Sequence, residues 1–201
     1  MSGSGLHLLG VIRAEASEIP PEALDAELIR HAELAALVRA VTLPLPIPET
    51  DAMAVQAHHH TLDVAMRHVS VVPMPWGVVF PGAPEVMRFL QQQRGTLVEA
   101  LTLVEDHWEF RLHVDSTESG AERIVPTDIA TKLYSELRRM ARAAVPIPVE
   151  DARRFSAAFL VQRGRSRDFV DRLDELGNLH PSLTLDLTGP WPPYDFVRVT
   201  P

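Results

Sequence analysis

Apolar and polar positions alternate most regularly between residues 107 and 115. Trp108, Phe110, Leu112 and Val114 fall on one side, and His107, Glu109, Arg111, His113 and Asp115 on the other. A period of two predicts a strand with one buried and one polar face. A polar turn over 116–121 follows, then a helix over 126–144 and a proline-rich break at Val145-Pro146-Ile147-Pro148. Beyond the break the pattern predicts a strand near 155–162 and a helix capped at Ser166, with Phe169, Val170, Leu173 and Leu176 inward. A turn at Gly177-Asn178 leads to a last strand over 182–188, where Leu183, Leu185 and Leu187 alternate with Thr184, Asp186 and Thr188. Strand, helix, strand, helix, strand suits an open α+β or α/β sheet, with a split βαβ arrangement of ferredoxin-like type among the candidates.

The first hundred residues are patterned less evenly. Residues 6–14 are almost wholly apolar and predict a short buried strand. Residues 22–40 are rich in Ala and Leu and favour a helix by propensity, with a short strand over 34–41 as the alternative. Thr42 to Pro48 holds three prolines and reads as an extended connector. Thr50 is a good cap for a helix reaching His68, with Ala54, His58, Leu62, Ala65 and Val69 on one side. Val71-Val72 is a strand fragment, and 73–80 stays extended. Pro84 opens a helical stretch through Val86, Phe89, Leu90, Leu97, Leu101 and Val104, divided near Gly95.

Composition narrows the chemistry. The 201 residues are 46% hydrophobic and carry a formal charge of −8, enough apolar content for a core and no basic footprint for nucleic acid. Lys132, Arg138, Arg139 and Arg142 lie among Glu136 and apolar positions, as on a solvated helix face. Without cysteine there is no thiolate zinc site or thiol nucleophile. The N-terminal apolar run, residues 8–12, is too short for a signal peptide or a membrane span, which makes the cytoplasm the expected compartment. His58-His59-His60 point in three directions on a helix and cannot chelate one ion together. Asp63 lies four residues after His59, a two-ligand pair and no more, so no metal is expected. Neither a G-x-S-x-G elbow nor a phosphate loop occurs. Glu109, Arg111, His113 and Asp115 share a strand face that reads as an acid/base ladder or, more simply, as the polar side of a half-buried sheet. No catalytic residue, cofactor site or small-molecule substrate is expected.

Two proline–aromatic corners remain: Pro73-Met74-Pro75-Trp76 with Phe80-Pro81, and Gly189-Pro190-Trp191-Pro192-Pro193-Tyr194-Asp195-Phe196. The three prolines of the second corner exclude a helix and a central strand there. Trp191 either plugs the end of a core or stands outward as a rigid apolar platform. Trp76, Phe80, Pro190, Trp191, Pro192, Pro193, Tyr194 and Phe196 are therefore the candidate protein-interaction residues.

The string Leu187-Thr188-Gly189-Pro190-Trp191-Pro192-Pro193-Tyr194-Asp195-Phe196-Val197 resembles the C-terminal signature of the gas vesicle protein F/L family. Weaker similarities keep the family's order: Leu9-Gly10-Val11-Ile12, His58, Val71-Val72-Pro73, Trp76-Gly77-Val78-Val79-Phe80, Glu85 to Leu90, the Trp108-led strand and Phe159-Leu160-Val161. The resemblance implies two small domains, a mixed α+β domain over 1–105 and a ferredoxin-like domain over 106–201. It also implies a non-enzymatic accessory role in gas vesicles, with the major shell protein and other accessory proteins as partners, and neither nucleic acid nor membrane. The competing expectation is a small-molecule-binding regulatory module of ferredoxin-like fold, which rests on fold analogy.

Overall fold

Leu8, Leu9, Val11 and Ile12 offer no polar face, and the chain buries all four in a strand covered on both sides. The computed structural model describes residues 3–15, 25–45, 51–117, 125–149 and 154–199. The chain groups into two units, Met1–Glu105 together with Pro192–Pro201, and Asp106–Trp191. In the first unit, strand β1 (Gly3–Arg13) lies inside an antiparallel sheet with β2 (Glu27–His31), β3 (Leu34–Leu43) and the short β4 (Val72–Pro73), ordered β2-β3-β1-β4. A second short strand, β5 (Val79–Phe80), also pairs with β1. The register slips by one residue between Leu8 and Gly10. That slip moves the alternation, so Leu6, Leu8 and Val11 all reach one core.

Helices α2 (Ala83–Gln92) and α3 (Arg94–Val104) fill that core with Val86, Phe89, Leu90, Leu97, Leu101 and Val104. The predicted break therefore falls at Gln93, two residues before Gly95. Helix α1 (Ala52–His68) packs by its second half, burying His58, Thr61, Leu62, Ala65 and Met66. A Cβ on Gly10 would sit 2.9 Å from both Leu62 and Val71, so only glycine allows that close approach. Asp51 caps α1, its Oδ1 accepting from Ala54 N at 3.0 Å. The expected cap, Thr50, lies outside the described residues.

The helix expected over 22–40 is instead a hairpin of β2 and β3, turning at Ala32 with a positive φ of 52°. Residues 22–24 of that prediction lie outside the described residues. Leu34, Ala35, Ala36, Leu37 and Val38 are helix-forming by composition, yet all five are buried in an interior strand. Pairing with β1 and cover on both faces outweigh intrinsic propensity here.

The second unit runs β6 (His107–Ser116), α4 (Thr127–Arg138), β7 (Ala143–Pro146), β8 (Phe155–Gln162), α5 (Ser166–Leu179) and β9 (Leu183–Trp191). All neighbours are antiparallel in the order β7-β8-β6-β9. A βαββαβ chain with its first and third strands central is the ferredoxin-like split βαβ fold. Phe110, Leu112, Val114, Ala157, Phe159 and Val161 meet Leu133 and Leu137 of α4 and Phe169, Leu173 and Leu176 of α5 in one core. The Phe159 and Phe169 rings lie 5.4 Å apart. Burial of each such side chain contributes about 1.5–3 kcal/mol.

Three expectations fail in this unit. Helix α4 stops at Arg138, and Ala143–Pro146 is a strand rather than a break. Pro146 is tolerated because β7 is an edge. The same edge is blunted, since Pro146 has no N–H to offer and the Ala144 carbonyl accepts the Tyr134 hydroxyl at 3.0 Å. Helix α5 also runs through Gly177-Asn178 to Leu179, where a turn was expected.

Candidate functional site

Five aromatic and imidazole side chains gather in the first unit: His7 from β1, His58 and His59 from α1, Trp76 before β5, and Tyr194 after β9. His7 and His58 stack with ring centres 5.1 Å apart, and Trp76 meets both edge-on at 4.7 and 5.7 Å. A carbonyl can only accept, so the 3.1 Å contact of His58 Nε2 with Met74 O places the proton on Nε2. Gly77 N donates to His7 Nε2 at 3.3 Å, which makes that nitrogen an acceptor. The Tyr194 hydroxyl reaches His58 Nε2 at 3.3 Å and His59 Nδ1 at 3.2 Å.

Burial sets the charge state of this cluster. His7 is 1% and His58 0% exposed. Loss of hydration pushes His7 down to about 4, helped by the Arg39 guanidinium. It pushes His58 down to about 3, helped by His7, His59 and Arg39 and opposed by the Met74 carbonyl. Both rings are neutral near pH 7. The buried His58 Nδ1 has no hydrogen-bond partner among the described residues, as suits a bare acceptor on a neutral ring. The sequence had one packed histidine, His58, and two solvated ones; His60 is exposed, while exposed His59 also touches Tyr194. What it missed was His7, a lone polar residue in an apolar strand, and no local pattern brings residues 7, 58 and 194 together.

The signature segment divides between inward and outward residues. Strand β9 continues three residues past Thr188 as an edge strand, through a bulge in which Gly189 and Pro190 oppose Phe110. Gly189 has φ +127°, and a Cβ there would lie 2.8 Å from the Glu109 carbonyl oxygen. Trp191 is 45% exposed, with its indole N–H donating to Thr188 Oγ1 at 3.1 Å. Pro190 is exposed as well. From Pro192 onward the chain belongs to the first unit. Pro192 and Pro193 are buried, Tyr194 and Phe196 half-buried, and Val197 and Val199 pack on the first core. The Phe80 ring lies 5.4 Å from that of Phe89, tilted by 44°, at the rim of that core.

On the second sheet, the polar face of β6 is tied together. Glu109 is fully buried and pairs with Arg111 Nε at 2.7 Å. His113 Nδ1 meets Ser156 Oγ at 2.8 Å, and Asp115 pairs with Arg154 at 2.8 Å. The face is thus more buried at Glu109 than its pattern predicts. Among the described residues no three His, Asp or Glu side chains converge as a metal site, and no helix is long and apolar enough to cross a membrane.

This architecture and its terminal signature match known proteins over nearly the whole chain. The model of the gas vesicle synthesis protein GvpL/GvpF family matches residues 6–129 and 125–198. Gas vesicle protein F2 of Halobacterium salinarum is 27% identical, across 99% of this chain and 94% of its own. The crystal structure of the gas vesicle protein GvpF from Anabaena sp. PCC7120 superposes with a TM-score of 0.81 at 15% identity, covering 98% of both chains. That of GvpF from Microcystis aeruginosa gives 0.79 at 13% identity, covering 97% of this chain and 99% of its own. Two antiparallel sheets in these arrangements, closed by Gly189-Pro190-Trp191-Pro192-Pro193-Tyr194, make this chain a member of the GvpL/GvpF family of gas vesicle synthesis proteins.

Proposed function

We propose that this protein is a non-catalytic accessory factor that binds the hydrophobic shell protein, and other accessory proteins, while gas vesicles nucleate and grow in the cytoplasm. The observation that carries the reading is the family match along nearly the entire chain. Physical chemistry supports it. A shell subunit rich in apolar strands aggregates unless its surfaces are covered before assembly. A partner with a charge of −8 keeps such a complex dispersed.

Within the eight candidate interaction residues, Trp191 and Pro190 form the outward platform. Pro192, Pro193, Tyr194, Phe196, Trp76 and Phe80 are held in or at the edge of the first unit and offer less free surface. Trp is the residue type most favoured at interface hot spots. Strand pairing along β7 is disfavoured by Pro146, so side-chain contact is the mode expected there.

The test is co-expression with the major shell protein from the same genome, followed by affinity capture and size-exclusion chromatography. A soluble co-eluting complex that weakens with Trp191→Ala supports the reading. Shell protein that precipitates equally with and without this chain, even when the other accessory proteins are supplied, overturns it.

A further inference from the structure

On the face of the second sheet away from α4 and α5, a cleft of about 490 Å³ is lined by His113, Asp115, Val149, Arg154, Ser156 and Asp186. Its floor follows from register. Ser156 of β8, His113 of β6 and Asp186 of β9 stand directly opposite one another across three strands, so their side chains share a face. Asp115 lies two residues further along β6 on the same side. Ser156 is 3% exposed and fixes the His113 ring through Nδ1, which leaves Nε2 for a ligand.

The walls differ in charge. Arg154 reaches Asp115 through Nε, leaving the terminal nitrogens of its guanidinium for a carboxylate. Asp186 is exposed in the opposite strand and pairs with no described cation. Val149, 37% exposed, adds an apolar surface. A simple anion here meets two aspartates, and a simple cation meets Arg154. A metal ion lacks a converging set of ligands among the described residues. The volume falls within the usual range for small-ligand sites, roughly 300–1,000 Å³.

We propose that this cleft binds a small zwitterion of the α-amino-acid class, its carboxylate toward Arg154 and His113 and its ammonium toward Asp186. This is a second site, independent of the partner surface at Trp191, and nothing in it requires catalysis.

The test is titration calorimetry of the full-length chain at neutral pH with glycine, L-lysine and L-glutamate, against acetate and methylammonium. At least one amino acid is expected to bind about tenfold or more tightly than either single-charge control. Asp186→Asn, an exposed position whose fold is checked by circular dichroism, is expected to weaken that amino acid by about tenfold or more. Three outcomes each overturn the proposal: no heat from any amino acid at about 10 mM, acetate or methylammonium binding as tightly, or Asp186→Asn binding unchanged.

Discussion

A histidine whose ring is buried neutral makes folding sensitive to acid, and this chain buries two in contact. His7 and His58 titrate at about 4 and about 3 in the fold, against 6.5 when free. As pH falls through 6.5 the unfolded chain takes up protons that the folded chain refuses. The histidine contribution to stability is therefore complete above pH 6.5 and is lost progressively toward pH 3–4. With two such groups the slope approaches about 2.7 kcal/mol per pH unit at most. Urea unfolding between pH 7.5 and 5, above the range where carboxylates titrate, measures it. His58→Gln is expected to remove about one proton from the slope, and a flat wild-type profile in that window rules out neutral burial of the pair. Tyr194 gives the same cluster a link to the end of the chain, through one hydroxyl shared by His58 and His59.

At the scale of elements, glycines at two positions make opposite predictions. Gly189 carries a positive φ in β9 and leaves 2.8 Å between a new Cβ and a backbone oxygen. Gly189→Ala is expected to cost roughly 2 kcal/mol or more, from left-handed strain plus the clash. Gly95 lies in α3 with nothing within 4 Å of its Cβ position, so Gly95→Ala is expected to stabilise by about 0.5–1 kcal/mol. Denaturant midpoints of the two variants, moving in opposite directions, check both. The strand over residues 107–115, the end of α1 and the alternation in β9 were legible in the sequence because each has one apolar face and a strong local period, while β8 over 155–162 was legible as a short apolar run after a proline-rich break. The β2–β3 hairpin was not, because an interior strand shows no alternation and its Ala and Leu content speaks for a helix. Strand β7 was hidden for another reason: proline reads as a break unless the position is known to be an edge. The tail's prolines did mark a special corner, but which of its aromatics face inward depends on a partner surface more than a hundred residues away in sequence.

For the whole molecule, the order of the units along the chain carries the main consequence. The chain leaves the first unit after Glu105, builds the second, and contributes Pro192 onward to the first again. Val197 and Val199 are thus parts of the first core, and Tyr194 of the histidine cluster beside it, all supplied after the second unit. A chain stopped after Trp191 is expected to lose protection of α1 and β1 in hydrogen exchange while β6 and β8 keep theirs; equal protection in both units argues against that role for the tail. Trp191 itself separates folding from recognition. Read as a buried plug, its removal costs about 3–5 kcal/mol; at 45% exposure with one hydrogen bond, Trp191→Ala is expected to cost about 1 kcal/mol. Phe159→Ala, at 0% exposure in the second core, takes the larger penalty of about 3–5 kcal/mol. If Trp191 is the platform, its alanine variant melts close to the wild type yet loses shell-protein capture. Phe159→Ala loses capture only as far as it loses fold. A Trp191→Ala protein that melts early and regains capture on cooling, as Phe159→Ala is expected to do, assigns the residue to packing instead.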